Sequence, residues 1–166
     1  MRAVMVGGGC RGLALARALV ADGNAVRAVT RSPARRAEIE AAGCECWIGD
    51  PDRIGTLRYA IDNATILLWL LATANGPGVA DLHRSRLRMM LERTVDTTVR
   101  GVVYEGRDPS GLAEMQRARR LNEIPYAVLD ADPRDVDAWL PAGRAAVERL
   151  LTAERGSARL DPGANT

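Results

Sequence analysis

A cluster of glycines directly after a short apolar segment is the feature that most constrains the fold of this chain. Residues 3–6 are apolar, too few for a helix and rich in β-branched valine, which predicts a buried strand. Glycines follow at positions 7, 8, 9 and 12, and a helical pattern of apolar residues begins at Leu13. A buried strand that turns at once into a helix is typical of a βαβ unit and predicts a parallel sheet.

The spacing of three of these glycines predicts a phosphate site. Gly7, Gly9 and Gly12 form the pattern Gly-x-Gly-x-x-Gly of a dinucleotide-binding turn. The first glycine permits the tight turn, the second lets a pyrophosphate approach the backbone, and the third lets the helix pack closely on the strand. The N–H groups and the dipole of the helix attract the phosphate. A glycine-rich turn without a ligand is the alternative interpretation.

The rest of the chain repeats the alternation of strand and helix. We predict a three-layer α/β fold with a doubly wound parallel sheet in the strand order 3-2-1-4-5-6. A single Rossmann domain is predicted over residues 1–152, followed by a flexible tail over residues 153–166. Further strands are predicted at residues 25–30, 44–48, 64–71, 102–105 and 124–129, and helices at residues 34–42, 53–61, 79–94 and 109–121, with a last one ending at 151.

The end of the second predicted strand indicates which dinucleotide the turn would bind. An acidic residue there would bind the 2′-hydroxyl of the adenosine ribose. This chain has Arg31 and Ser32 at that place, and Arg35 and Arg36 follow one turn into the next helix. Cations and a hydroxyl suit a 2′-phosphate, so we predict NADP, with NAD as the alternative. Of these cations Arg31 is the preferred candidate, because Arg35 and Arg36 also fit a solvated helix face.

Two further loops are predicted to face the same ligand. Gly49 and Asp50 end the third strand, where Asp50 either caps the next helix or accepts a hydrogen bond from the adenine amine. Pro33 after Ser32 likewise suggests that Ser32 is a helix cap. The small residues 72–78 follow the fourth strand, where they would let a nicotinamide ribose lie close.

Composition excludes several classes of protein. The formal net charge of +2 over 166 residues indicates no electrostatic partner such as nucleic acid or a membrane surface. The three cysteines, an odd number with no secretory signal before the first strand, predict a reduced, cytoplasmic setting. Cys44 and Cys46 lack the accompanying ligands of a metal site, so no metal is predicted. All 23 basic residues are arginine, and the chain contains no lysine.

These motifs together resemble the atypical short-chain dehydrogenases/reductases, in their NmrA-like and epimerase-like branch. The resemblance rests on the glycine turn, Arg31-Ser32, Gly49-Asp50, the small-residue loop after Leu71, and residues 102–105, and it covers about residues 1–130. It implies an NADP site formed by Gly7, Gly9, Cys10, Arg11, Gly12, Arg31, Ser32, Asp50, Leu71, Ala72 and Thr73.

The chain departs from that family in its catalytic residues. Active members use a tyrosine with a lysine four residues later, which lowers the pKa of the phenol. Without lysine this pair is absent: Tyr59, Tyr104 and Tyr126 are followed at that spacing by Asn63, Asp108 and Asp130. We also expect the chain to lack the substrate-binding C-terminal extension that is common in the larger relatives.

Three other residues are candidates for chemistry. Tyr104 ends the fifth strand near the expected nicotinamide and is a candidate acid, or else a half-buried aromatic with its hydroxyl in water. His83, the only histidine, is a candidate proton carrier or a packing residue. Cys10 lies in the glycine turn at a helix N-terminus, where it is a candidate for redox sensing or else a small residue that the turn accommodates. The three tryptophans are interpreted as packing residues.

Two functions from different classes follow. The first is a non-catalytic, redox-sensing or regulatory NADP-binding protein with a protein partner or a homo-oligomer surface. The second is an NADPH-dependent oxidoreductase that reduces a small carbonyl or quinone with a non-standard proton donor. A weaker resemblance, to nucleotide-gated potassium-channel regulatory domains, rests on the Gly49-Asp50 turn and lacks their ribose-binding acid.

Overall fold

The fold is a six-stranded sheet in which every pairing of neighbouring strands is parallel. The computed structural model describes residues 1–153. The strand order is β3-β2-β1-β4-β5-β6, which confirms the predicted topology. The strands are β1 (Arg2–Gly7), β2 (Ala25–Thr30), β3 (Glu45–Ile48), β4 (Ile66–Leu70), β5 (Gly101–Glu105) and β6 (Tyr126–Leu129). The predicted flexible tail lies outside the described residues, apart from residue 153.

Helices cover both faces of the sheet. They are α1 (Gly9–Ala21), α2 (Arg36–Ala41), α3 (Val79–Leu82), α4 (Ser85–Thr94), α5 (Pro109–Asn122) and α6 (Val136–Thr152). The apolar side chains of α1, α2 and α6 form one core cluster with the sheet, and those of α3, α4 and α5 form a second. Both faces of the central strand β4 are buried, which explains its uninterrupted apolar run. No helix within residues 1–153 is long and apolar enough to cross a membrane.

The predicted helix over residues 53–61 is wrong, because only a short 3₁₀ turn, Ile54–Leu57, forms there. The Thr56 hydroxyl donates to the carbonyl of Arg53 at 2.7 Å, a local bond that competes with helix formation. The Thr56 carbonyl accepts the indole N–H of Trp47 at 2.9 Å and is thereby withdrawn from a helical ladder. Asp50 accordingly caps no helix: its carboxylate accepts the N–H of Asp52 at 2.9 Å.

The predicted helix over residues 79–94 is divided at His83 and Arg84. The carbonyl of Leu82, which a continuous helix would pair with the N–H four residues later, accepts the indole N–H of Trp69 at 3.0 Å. Arg84 has φ −126° and ψ −104°, outside the helical region. The interruption therefore accompanies a hydrogen bond from the sheet to the helix backbone.

Two aspartates cap the later helices, whereas Ser32 does not cap the first short turn. Asp108 accepts the N–H of Ser110 at 2.8 Å at the start of α5. Asp135 accepts the N–H of Ala138 at 3.2 Å at the start of α6. The side chain of Ser32 makes no capping hydrogen bond to the 3₁₀ turn Pro33–Arg35, which precedes a shorter α2 than predicted.

Helix α5 lies unusually close to the sheet at its first turn. A Cβ atom on Gly111 would overlap the hydroxyl oxygen and the Cζ atom of Tyr104. Tyr104 is fully buried, and its hydroxyl is held by His83, so neither atom has room to move. Glycine is therefore required at position 111 by packing rather than by backbone conformation.

We expect Gly111→Ala to destabilise the protein by about 2 kcal/mol through this overlap. The direction of this change in the free energy of unfolding tests the packing, because alanine has a helix propensity about 1 kcal/mol better than glycine and would otherwise stabilise α5. Chemical denaturation measures the change. Gly55→Ala is the control, since its Cβ would meet no atom within 4 Å. A stabilised Gly111→Ala variant would contradict the packing described here.

Candidate functional site

A cleft of about 460 Å³ opens at the carboxyl ends of the four strands β1 to β4. It lies across the point where the strand order reverses, which is where open α/β sheets bind ligands. Seven of the predicted site residues line it: Gly7, Gly9, Arg31, Ser32, Asp50, Leu71 and Thr73. The other four predicted binding residues, Cys10, Arg11, Gly12 and Ala72, are outside its lining.

The glycine turn has the geometry that a phosphate requires. Gly7 has φ +83°, and a Cβ there would overlap the carbonyl oxygen of Leu70 on the neighbouring strand. A Cβ on Gly9 would meet nothing within 4 Å, so that side of the turn is open to a ligand. A Cβ on Gly12 would lie 3.1 Å from the carbonyl oxygen of Gly7, which shows how closely α1 packs on β1. This backbone is thus compatible with the three roles expected of the motif.

The charge at the β2 end of the cleft is positive and locally uncompensated. Arg31 is exposed and makes no ion pair within residues 1–153. Arg35, which also lines the cleft, is paired with Glu38 at 3.0 Å. The two carboxylates of the lining are engaged elsewhere, since Asp52 accepts from Arg86 at 3.2 Å and Asp50 binds within its own turn. An anion bound here would meet the free guanidinium of Arg31.

Glu105 is a functional candidate that sequence analysis missed. It ends β5, its side chain is only 1% exposed, and its two carboxylate oxygens accept four hydrogen bonds. The donors are Arg11 Nε at 3.0 Å, Arg11 Nη2 at 2.5 Å, the backbone N–H of Ala72 at 3.0 Å and Trp139 Nε1 at 2.8 Å. The only sequence signal was an acidic residue directly after an apolar strand segment.

Arg11 is held by protein groups on every side of its guanidinium. Besides the two bonds to Glu105, its Nη1 donates to the carbonyl of Gly8 and to the hydroxyl of Thr73, both at 3.1 Å. The guanidinium also lies over the ring of Trp139, 5.4 Å from the centroid. Arg11 therefore connects the glycine turn to the loop after β4 instead of facing the cleft.

Tyr104 and His83 form a buried pair away from the cleft. The phenol oxygen and Nδ1 of the imidazole are 2.6 Å apart, and the rings meet edge to face. This corrects the expectation of a half-buried phenol with its hydroxyl in water. Burial raises the pKa of the Tyr104 phenol above its usual value, and the Asp108 carboxylate acts in the same direction. Neither residue lines the cleft.

The cysteines are not assembled into a site. Cys10 is exposed at the start of α1, Cys44 is buried, and Cys46 is partly buried. Burial raises the pKa of the Cys44 thiol. Across residues 1–153 no three His, Cys, Asp or Glu side chains are arranged to hold a metal ion.

Comparison with known proteins identifies the fold. No protein-family model matches the chain, and no curated protein matches its sequence. Solved structures do match: triphenylmethane reductase from Citrobacter sp. complexed with NADP(H) (19% identity, TM-score 0.61), UDP-glucuronic acid 4-epimerase from Bacillus cereus in complex with NAD (13%, 0.62), and the anaerobillin reductase ChuY from Escherichia coli O157:H7 (12%, 0.57). The chain has the fold of these reductases and epimerases.

The matched region is the larger part of this chain. It covers 78% of the chain against triphenylmethane reductase and 77% against each of the other two. The same regions make up 48%, 55% and 71% of the respective structures. The chain thus spans about half the length of the first two. At these identities the likeness concerns the fold alone.

The buried phenol predicts a loss of stability at alkaline pH. The unfolded chain releases the Tyr104 proton near pH 10, whereas the folded chain retains it to higher pH, so the folded state binds more protons above about pH 10. We expect the free energy of unfolding to fall there by up to about 1.4 kcal/mol per pH unit for this group. Denaturation of the wild type and of Tyr104→Phe across this range measures the difference.

The free energy of unfolding of Tyr104→Phe should fall less steeply with rising pH than that of the wild type. Its value at neutral pH should be lower, because His83 loses its hydrogen-bond partner. Tyr59→Phe is the matched control. Tyr59 is 61% exposed, so loss of its hydroxyl should not change how steeply the free energy of unfolding falls with pH. If the free energy of unfolding falls equally steeply with pH in the wild type and in Tyr104→Phe, a raised pKa of the Tyr104 phenol is contradicted.

Proposed function

We propose that this chain binds NADP(H) in the cleft and prefers it to NAD(H). The observation that carries the proposal is the exposed, unpaired guanidinium of Arg31 at the β2 end of a cleft that begins at an open glycine turn. An arginine beside a hydroxyl suits a phosphate monoester, and it leaves a ribose 2′-hydroxyl without the acidic partner that NAD favours.

Each end of the dinucleotide has residues suited to it. The N-terminus of α1 with Gly7 and Gly9 would hold the pyrophosphate, through backbone N–H groups that lack helical partners. Arg31 and Ser32 would bind the 2′-phosphate. Asp50 would accept from the adenine amine with the oxygen not used in its turn. The segment from Leu71 to Thr73 would lie along the nicotinamide ribose.

We further propose that the chain acts as a cofactor-binding, regulatory module. The two candidate proton donors, Tyr104 and His83, are buried and bonded to each other on the sheet face covered by α3, α4 and α5. The sequence has no lysine to lower the pKa of a phenol, and burial raises that of Tyr104. Proton transfer from either residue to a molecule in the cleft is therefore not supported.

A second candidate function, reduction of a small substrate, is favoured by one observation. A further cleft of about 290 Å³ lies at the carboxyl ends of β5 and β6 and contacts Ala72, next to the segment proposed to hold the nicotinamide ribose. Arg107, Asp130 and Asp132 supply polar groups there. In this alternative the cofactor supplies the hydride, and water supplies the proton.

We expect Arg31→Asp to weaken NADPH binding by about tenfold or more, because an attractive charge contact becomes repulsive. NADH binding should change little, since NADH has no 2′-phosphate. Titration calorimetry with both cofactors measures the effect. Arg120→Asp is the matched control: it makes the same charge change on α5, in a residue that does not line the cleft.

Equal weakening of NADPH and NADH in the Arg31→Asp variant would contradict the assignment of Arg31 to the 2′-phosphate. Absence of binding of any dinucleotide to the wild type would contradict the proposed function itself.

We expect no NADPH oxidation above the spontaneous rate when the wild type is incubated with a panel of quinones and small carbonyl compounds. The reason is that the two candidate proton donors, Tyr104 and His83, are buried and bonded to each other. The decrease in the absorbance of reduced nicotinamide measures turnover. Reproducible turnover that Arg31→Asp reduces would favour the reductase over the regulatory module.

A further inference from the structure

The strongest unexplained feature is the buried carboxylate of Glu105. Removal of a carboxylate from water is costly unless hydrogen bonds compensate it. Here the four donors come from three separate parts of the chain: α1 through Arg11, the loop after β4 through Ala72, and α6 through Trp139. One side chain therefore holds three elements in fixed relative positions.

Two of the segments that Glu105 connects contribute residues to the lining of the cleft. The glycine turn contributes Gly7 and Gly9, and the loop after β4 contributes Leu71 and Thr73. Arg11 bonds to the carbonyl of Gly8 within the turn and to the Thr73 hydroxyl within the loop. The Arg11–Glu105 pair thus links the two segments, although neither residue lines the cleft.

We propose that Arg11 and Glu105 are positioning residues for the dinucleotide, which set the gap between the glycine turn and the loop after β4. This inference rests on the proposed function. It assigns Arg11 a role different from that of a phosphate ligand, because all three of its guanidinium nitrogens are already bonded to protein groups. Binding is tighter when the two segments are pre-organised, since less ordering is required on association.

The chain contains a matched pair that separates positioning from general stability. Arg88 donates to Glu114 through Nε at 2.9 Å and through Nη2 at 2.6 Å, and Glu114 is mostly buried. This pair joins α4 to α5 on the other face of the sheet, and neither residue lines the cleft. Loss of either carboxylate removes a two-bond arginine–glutamate contact, but only Glu105 is connected to segments that line the cleft.

The experiment compares Glu105→Gln with Glu114→Gln in binding to two ligands, NADPH and adenosine 2′-monophosphate. The second ligand lacks the pyrophosphate and the nicotinamide, so it probes only the Arg31 end of the cleft. We expect Glu105→Gln to weaken NADPH binding by about tenfold, the effect of losing one pre-organised set of contacts. Binding of adenosine 2′-monophosphate should change by less than about twofold, and Glu114→Gln should affect neither ligand.

A double-mutant cycle tests the role of Arg11. If Arg11 acts only through Glu105, Arg11→Gln weakens NADPH binding in the wild type but has little further effect in Glu105→Gln. If Arg11 contacts a phosphate directly, the two effects add. Additive effects would overturn the assignment of Arg11 as a positioning residue.

A milder variant covers the case in which Glu105→Gln fails to fold. Thr73→Val removes the hydroxyl that accepts from Arg11, and it should weaken NADPH binding more than binding of adenosine 2′-monophosphate. Because Thr73 also lines the cleft, the variant is compared in an Arg11→Gln background, where a positioning effect adds little further loss and a direct contact with the ligand adds its full loss. Equal loss for both ligands, or no loss for NADPH, would overturn the inference. A wild type that binds neither ligand would instead refute the proposed function.

Discussion

The structure depends on a carboxylate that water does not reach. Glu105 ends the fifth strand in the protein interior, and its charge is compensated by a guanidinium, an indole N–H and a backbone N–H. Those donors belong to α1, α6 and the loop after β4, so the core on one face of the sheet forms only if these elements are correctly placed. Two of the same segments contribute residues to the lining of the cleft. The packing of this core and the geometry of the cleft therefore depend on the same hydrogen bonds of Glu105.

Strand β5 places a polar group on each face of the sheet at its carboxyl end. Successive residues of a strand point to opposite faces, so Tyr104 belongs to the cluster with α4 and α5, while Glu105 points to Arg11 and Trp139. The hydroxyl is satisfied by His83 and the carboxylate by four donors. Both groups are thus bonded within the protein interior.

Sequence patterns predicted the backbone better than the long-range contacts. The glycine spacing and the alternation of strands and helices were sufficient for the topology, because both are local signals that parallel sheets require. The tryptophans were interpreted as packing residues, yet each also donates a hydrogen bond across the fold. The indole of Trp47 binds a carbonyl in the region of the failed helix 53–61, that of Trp69 binds the carbonyl where the helix over 79–94 is interrupted, and that of Trp139 binds Glu105. No local sequence pattern predicts which distant group an indole N–H will bind.

The contrast between Gly9 and Arg11 shows which features the glycine motif predicts and which it does not. The glycine pattern specifies a backbone: a Cβ atom would overlap the Leu70 carbonyl at position 7 and crowd the Gly7 carbonyl at position 12, whereas position 9 is open. It says nothing of where the intervening side chains point. Each residue of a helix is rotated by about 100° from the last, so Arg11 leaves the turn in a different direction from Gly12, which packs on β1, and it meets Glu105 of a strand 94 residues away in sequence. The direction of Arg11 is set by a residue that the motif does not contain, and for that reason the motif predicts the backbone at the glycines but not the contacts of the arginine between them.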